Sequence, residues 1–232
     1  MAQREIAILL TGCGVHDGTD IHEAFACKAA VTAVGFLPVF YSLDKDQAEV
    51  INHLVPAVMT SCSEDDKKTC SRNMFVESAR IVGGRPNLLE ELDMSVTYGL
   101  LIPGGGGILK NISNILSFVK KEEPSLQVDE DVVSFLNQFH EAHKPIGAIS
   151  HGILLLAAVF KDVEVTFGEA DESGFSDIAE LLGAKVIGST GVHLDTSNNL
   201  LSTPGSIDES LEVAMSINQL IEKMMDLIDS SL

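Results

Sequence analysis

Apolar residues along this chain come in short blocks that alternate with stretches of helical spacing. Ile6–Leu10 is a continuous apolar run ending in Thr11-Gly12-Cys13-Gly14, the pattern of a buried strand entering a glycine-rich turn. From Asp20 to Val34, Ile21, Ala24, Phe25, Ala29 and Val31 are available for an inner helical face. Leu37–Ser42 and Gly99–Pro103 read as further strands, the second running into Gly104–Gly107, with a helix from there to about Val119. Asn73–Val82 reads as a helix opened by an Asn cap, and Asp129–His143 is amphipathic. Pro145–Ile149 predicts a strand, Gly152–Phe160 a buried helix, Val163–Phe167 a strand and Ser176–Leu182 a short helix. Short β segments follow at Val186–Ile187, Val192–Leu194 and Leu200–Thr203, and Ser206–Ile228 closes as a long helix. Strands alternating with helices predict an α/β fold with a mostly parallel sheet covered on both faces. The polar stretches Ser61–Arg72 and Lys120–Glu130 read as surface connections rather than interdomain linkers, so residues 1–232 are expected to form one domain.

Charge narrows the partners. Asp and Glu number 34 against 15 Lys and Arg, a net charge of −19, which disfavours nucleic acid and anionic membrane, both polyanions. The absence of Trp removes one base-stacking platform as well. Hydrophobic residues make up 45% of the chain, too many for a charged disordered polymer. The apolar run Gly152–Phe160 is too short to span a bilayer, and no signal peptide is visible in residues 1–10. Cys13, Cys27, Cys62 and Cys70 contain no CxxC pair, so neither a zinc knuckle nor a disulfide framework is indicated. A reducing, cytoplasmic setting is expected, with the thiols as small core residues.

In doubly wound sheets, ligands bind outside the carboxyl ends of the strands. Three loops fall there. At Gly147-Ala148-Ile149-Ser150-His151-Gly152 a strand ends, a small hydroxyl residue follows and a helix begins. This is the logic of a nucleophile elbow: Ser150 is presented at a helix N-terminus and the His151 amide points at an oxyanion. The alternative is that Ser150 is simply a helix N-cap, a commoner role for serine. The run Gly104–Gly107 can bring backbone amides close to a ligand, with Gly105 as the second oxyanion donor. It is not a P-loop, because no Gly-Lys-Ser/Thr follows. The first loop, Gly12–Glu23, resembles a dinucleotide fingerprint, but Gly18 comes one position late and Asp17, Asp20 and Glu23 would repel a pyrophosphate. Asp17 and Asp20 read as helix capping and dipole compensation, while Glu23 could project to the strand ends. His16, His22, Cys13 and Glu23 lack a ligand spacing, so no metal is expected, and no cofactor either.

Taken together, TGCGVHDGTDIHEA at 11–24, VINH at 50–53, NMFVESARIVGG at 73–84, IPGGGGILKNIS at 102–113, KPIGAIS at 144–150 and STPG at 202–205 resemble the class I glutamine amidotransferase-like superfamily of the PfpI, glyoxalase III and deglycase type. More closely, they resemble its isoprenoid-biosynthesis (enhancing lycopene biosynthesis, ElbB-like) members. The resemblance implies a flavodoxin-like three-layer sandwich and a homodimer. It implies a nucleophile at Ser150, a carboxylic acid from the first helix, Glu23, contacting it, and an oxyanion hole from Gly104, Gly105 and the amide of His151. The relatives carry Cys at the elbow, where this chain has Ser150. A helix N-terminus can ionise a thiol but not a serine hydroxyl, so Ser150 needs a general base. His151 is an immediate neighbour, and adjacent residues at an elbow rarely reach each other well. The expected function is therefore a binding or regulatory protein for a small-molecule ligand, with a degenerate pocket. The competing expectation is a Ser-dependent glyoxalase-, deglycase- or amidohydrolase-type enzyme acting on a small carbonyl or amide, in which Ser150 attacks, a deprotonated Glu23 moves the proton and the oxyanion sits between Gly105 and His151; a dinucleotide-binding protein is a distant third.

Overall fold

The computed structural model describes residues 4–54, 71–169, 174–205 and 210–230, with side chains in the last segment from residue 214 onward. Within it the alternation of strands and helices runs β1 (Glu5–Leu9), α1 (Ile21–Ala33), β2 (Leu37–Ser42), α2 (Met74–Val82), β3 (Asn87–Leu88), β4 (Thr97–Ile102), α3 (Gly106–Lys110) and α4 (Ile115–Val119). It continues through α5 (Glu130–Glu141), β5 (Ile146–Ile149), α6 (Gly152–Val159), β6 (Glu164–Val165), α7 (Phe175–Leu181), β7 (Lys185–Val186), β8 (His193–Asp195), β9 (Leu200–Thr203) and α8 (Ser210–Ser230). Cys62, Cys70 and most of the 61–72 connection lie outside the described residues, as does the expected start of the last helix at Ser206.

Seven strands form one sheet in the order β3-β2-β1-β4-β5-β9-β8. All neighbours are parallel except β8 and β9, which are antiparallel. The period-2 alternation of strand side chains divides the core in two. Ala7 and Leu9 face one layer with Leu100, Ile102 and Ile146, under Phe135 and Phe139 of α5 and Ile153–Leu156 of α6. Ile6 and Ile8 face the other with Leu101, Ile149 and Leu201, under Ala24, Cys27 and Val31 of α1 and Ile217, Leu220, Ile221 and Met224 of α8. Helices on both sides of a mostly parallel sheet make this the flavodoxin-like three-layer sandwich. Among the described residues, no helix is long and apolar enough to cross a membrane.

Three elements differ from the sequence reading. The helix after the glycine run breaks into α3 and α4. At the break, Asn114 donates its N–H to Gln127 O and accepts the Gln127 N–H on Oδ1, a local alternative to the helical ladder. The expected strand Val163–Phe167 shrinks to β6, which pairs only with β7 in a separate two-stranded sheet. Its amides are met by side chains instead: Glu164 N–H donates to Asp195 Oδ2 and Thr166 N–H to Ser202 Oγ. Finally, β3 is too short to leave a periodic signal.

Because β4 lies between β1 and β5, and β5 between β4 and β9, the loops at the carboxyl ends of these parallel strands meet at one place. Those loops are 10–20, 103–105, the turn at Ser150 and Pro204-Gly205.

Candidate functional site

Ser150 follows the last residue of β5 directly and has φ of 51°, in the left-handed region. That conformation costs a non-glycine residue about 1–2 kcal/mol, so the surroundings must hold it. The Ser150 N–H donates to Thr203 O of the neighbouring β9 at 3.2 Å, and Ser150 O accepts the Ile153 N–H at 3.0 Å, opening α6. A strained strand-to-helix turn carrying a hydroxyl is elbow geometry, here with Ser150 buried.

Glu23 arrives from the first turn of α1. Asp20 caps that helix: its Oδ1 accepts the His22 N–H at 2.8 Å and the Glu23 N–H at 3.2 Å. Asp20→Ala is expected to cost about 1 kcal/mol in urea unfolding, the usual value of such a cap. Glu23 is 2% exposed, and its Oε2 accepts the Gly104 N–H at 2.6 Å. Burial, assisted by the Asp20 charge, pushes its carboxyl up to about 8 against the opposing Gly104 bond. At neutral pH Glu23 is therefore mostly protonated.

A methyl group built on Gly104 would lie 2.9 Å from Ser150 Cβ, 3.0 Å from Glu23 Oε2 and 3.0 Å from His151 N. From the other side, a Cβ on Gly205 would lie 2.7 Å from Glu23 Oε1 and 3.1 Å from Ser150 Cβ, and Gly205 has φ of 64°. Gly205 has no role in the sequence reading. The signal for it was its position just past β9, the strand that flanks the elbow.

Three expectations about this cluster are corrected. His151 does reach its neighbour: Ser150 Oγ lies 3.2 Å from His151 Nδ1. Glu23 makes no hydrogen bond to Ser150; its carboxyl is engaged by the glycine loop instead. The Gly105 N–H, expected to be an open oxyanion donor, faces His151 Nδ1 at 3.4 Å. Of the three amides in question, Gly104 is held by Glu23, Gly105 is turned toward an imidazole, and His151 N–H alone has no acceptor among the described residues. The His151 ring packs at a tilt against Phe175, with ring centroids 4.6 Å apart. Burial lowers its pKa to about 4; Asp20 opposes this, and Lys110 and His16 add to it. The ring is thus neutral, with Nδ1 as acceptor and the proton on Nε2.

The dinucleotide reading of the first loop does not fit this geometry. Gly12 N–H donates to Ser78 Oγ, Gly14 N–H to Thr19 O and Gly18 N–H to Gly14 O, so these amides are engaged within the protein. A pyrophosphate needs such amides open.

No family profile matches the chain. The ES1 protein homolog, mitochondrial, of Rattus norvegicus is 34% identical over 233 residues, covering 96% of this chain and 83% of the relative. The glutamine amidotransferase-like class 1 domain-containing protein 3, mitochondrial, of Homo sapiens is 32% identical, covering 96% and 82%. The chain belongs to the ES1 family of glutamine amidotransferase-like class 1 proteins. Among solved structures, the isoprenoid biosynthesis protein with amidotransferase-like domain from Ehrlichia chaffeensis superposes with a TM-score of 0.82 at 26% identity, covering 96% of this chain and 99% of that one. Drosophila melanogaster DJ-1beta shares the fold, with a TM-score of 0.52 at 16% identity, covering 98% and 97%. The ES1 relatives overturn the cytoplasmic expectation, since their names place them in mitochondria. Free thiols separate reducing from oxidising compartments and do not tell one reducing compartment from another.

Proposed function

We propose that this ES1-family chain is a ligand-binding protein in which Ser150 replaces the nucleophilic Cys of PfpI-type relatives, and that its elbow pocket holds a small neutral carbonyl or amide without converting it. The observation that carries this reading is the missing base. Among the described residues Ser150 Oγ meets only His151 Nδ1, on a ring whose pKa is pushed to about 4, and Gly105 N–H competes for the same lone pair. A base that weak takes a serine proton poorly, since efficient general bases titrate near the working pH. Glu23, pushed up to about 8, is mostly protonated and cannot serve. What remains suits binding: His151 N–H for a ligand oxygen, protonated Glu23 as a further donor, and Ser150 Oγ as an acceptor. A neutral ligand fits better than a phosphate, because Asp20 adds negative charge close to Glu23 and His151.

The likeness to the Ehrlichia protein supports an ElbB-like assignment within the family, and the relatives' names support a mitochondrial location. A homodimer belongs to the same reading, with exposed Ile21 and Phe25 of α1 and Val76 of α2 as its apolar contacts.

One observation favours a Ser-dependent enzyme instead, the 3.2 Å Ser150–His151 contact. Titrating acetamide and then methylglyoxal into nitrogen-15-labelled protein separates the two. Saturable shifts at the His151 and Gly105 amides, with the ligand recovered unchanged, are expected. Conversion of either compound, or no shift at these amides, counts against the binding reading.

A further inference from the structure

Asp17, which the sequence suggests as dipole compensation for α1, is fully buried and serves elsewhere. Its Oδ2 accepts the Ile51 N–H at 2.6 Å. Its carbonyl accepts Gln47 Nε2–H at 2.6 Å and Asn111 Nδ2–H at 2.8 Å. Residue 17 is thereby tied to the segment 47–51 by side chain and backbone, and to the end of α3 by backbone. His53 closes the same junction: its Nε2 accepts the His16 N–H at 3.3 Å, and its ring stacks on that of His16 at 4.9 Å.

The residues flanking Asp17 carry the glycine loop. Val15 O accepts the Gly106 N–H at 2.7 Å and Gly18 O accepts the Gly107 N–H at 2.9 Å. Beyond them, the Asp20 N–H donates to Gly104 O at 2.9 Å. Gly105, whose N–H faces His151, lies among these three anchors. Asp17 itself makes no hydrogen bond to Ser150, Glu23, His151 or the glycine loop. One of its oxygens is also left without a donor: Oδ1 is buried and unpartnered among the described residues, with His53 Nε2 at 3.8 Å. A buried unsatisfied oxygen is costly and calls for a reason.

We propose that Asp17 is a positioning residue of the elbow pocket: by pinning the loop between Val15 and Gly18 to the 47–53 segment, it sets where the Gly104 and Gly105 amides point. The proposal rests on the elbow pocket being the ligand site and adds how that site is kept in shape. Displacing Asp17 moves Val15 O and Gly18 O, and the glycine loop follows them.

The test compares amide spectra of ligand-free wild type, Asp17→Ala, Asp17→Asn and Gln47→Met. Asp17→Ala is expected to shift the Gly104, Gly105 and His151 amide resonances and to weaken acetamide binding about tenfold, as displaced recognition groups do. Asp17→Asn keeps an oxygen for the Ile51 N–H and is expected to restore both. Gln47→Met removes one bond to the Asp17 carbonyl and is expected to move the same resonances by less. The proposal fails if Asp17→Ala leaves those resonances in place, or if Asp17→Asn moves them as far as Asp17→Ala. Should Asp17→Ala not fold, an unmoved glycine loop in Gln47→Met overturns it equally. Because the shifts are read without ligand, absence of acetamide binding in the wild type would count against the functional reading alone.

Discussion

Replacing Glu23 with glutamine is expected to flatten the pH dependence of stability above neutrality. In the native protein the Glu23 carboxyl is raised from its ordinary 4.5 to about 8, chiefly by burial. Between those values the native state holds a proton that the unfolded chain has released, so stability falls as pH rises. The contribution is fully present below about 4.5 and is lost by the time pH has passed about 8. His151 acts with the opposite sign. Its pKa falls from 6.5 to about 4, so its unfolded form binds more protons and stability rises with pH between those values. Up to pH 6.5 the two groups offset each other. From there to pH 8 Glu23 acts without that offset, and the wild type is expected to lose about 2 kcal/mol. Glu23→Gln keeps an oxygen for the Gly104 N–H but has no proton to release. Urea unfolding at pH 6.5, 7.2 and 8 checks this: the difference between the two proteins should change by about 2 kcal/mol across that range. Parallel slopes would mean that Glu23 is ionised in the folded state.

Ser150→Cys is expected to create a reactivity that the wild type lacks. The elbow already offers a helix N-terminus, which favours a thiolate, and the strained φ of 51° is equally available to Cys. A thiol needs no strong base, whereas a hydroxyl does. Methylglyoxal consumption by Ser150→Cys should therefore exceed that of the wild type by about 100-fold or more. Equal rates would show that the pocket has lost more than its sulfur. The Gly104 and Gly105 amides, already engaged by Glu23 and His151, would then be the missing oxyanion donors.

Much of this architecture is readable from the chain because it depends on local pattern. The Ile6–Leu10 run, the Asp20 and Asn73 caps and the alternation of strands with helices each leave a signal within ten or so residues. The meeting of Ser150, Glu23 and the glycine loop is legible too, since parallel strands deliver their carboxyl-end loops to one edge. What the chain does not reveal is where side chains and amides point once they meet. The Ser150 Oγ to His151 Nδ1 contact depends on a ring packed against Phe175, which comes from another element. The turning of Gly105 N–H toward that ring depends on Val15, Gly18 and Asp20 holding the loop from outside. Asp17 carries the same lesson. A carboxylate three residues before a cap looks like dipole compensation, and only the distant Ile51 amide explains its burial. Similarly, β6 has strand-like composition but meets side-chain acceptors of Asp195 and Ser202 instead of a ladder in the main sheet.

On the proposed function, Ser150 binds a ligand and does not attack it. The most direct measurement is methylglyoxal turnover by wild type and Ser150→Ala, side by side at pH 7 and at equal protein concentration. Both are expected to stay at the rate of buffer alone. A wild type that turns over substrate while Ser150→Ala is inactive would contradict it, and would make Ser150 with His151 a working nucleophile and base.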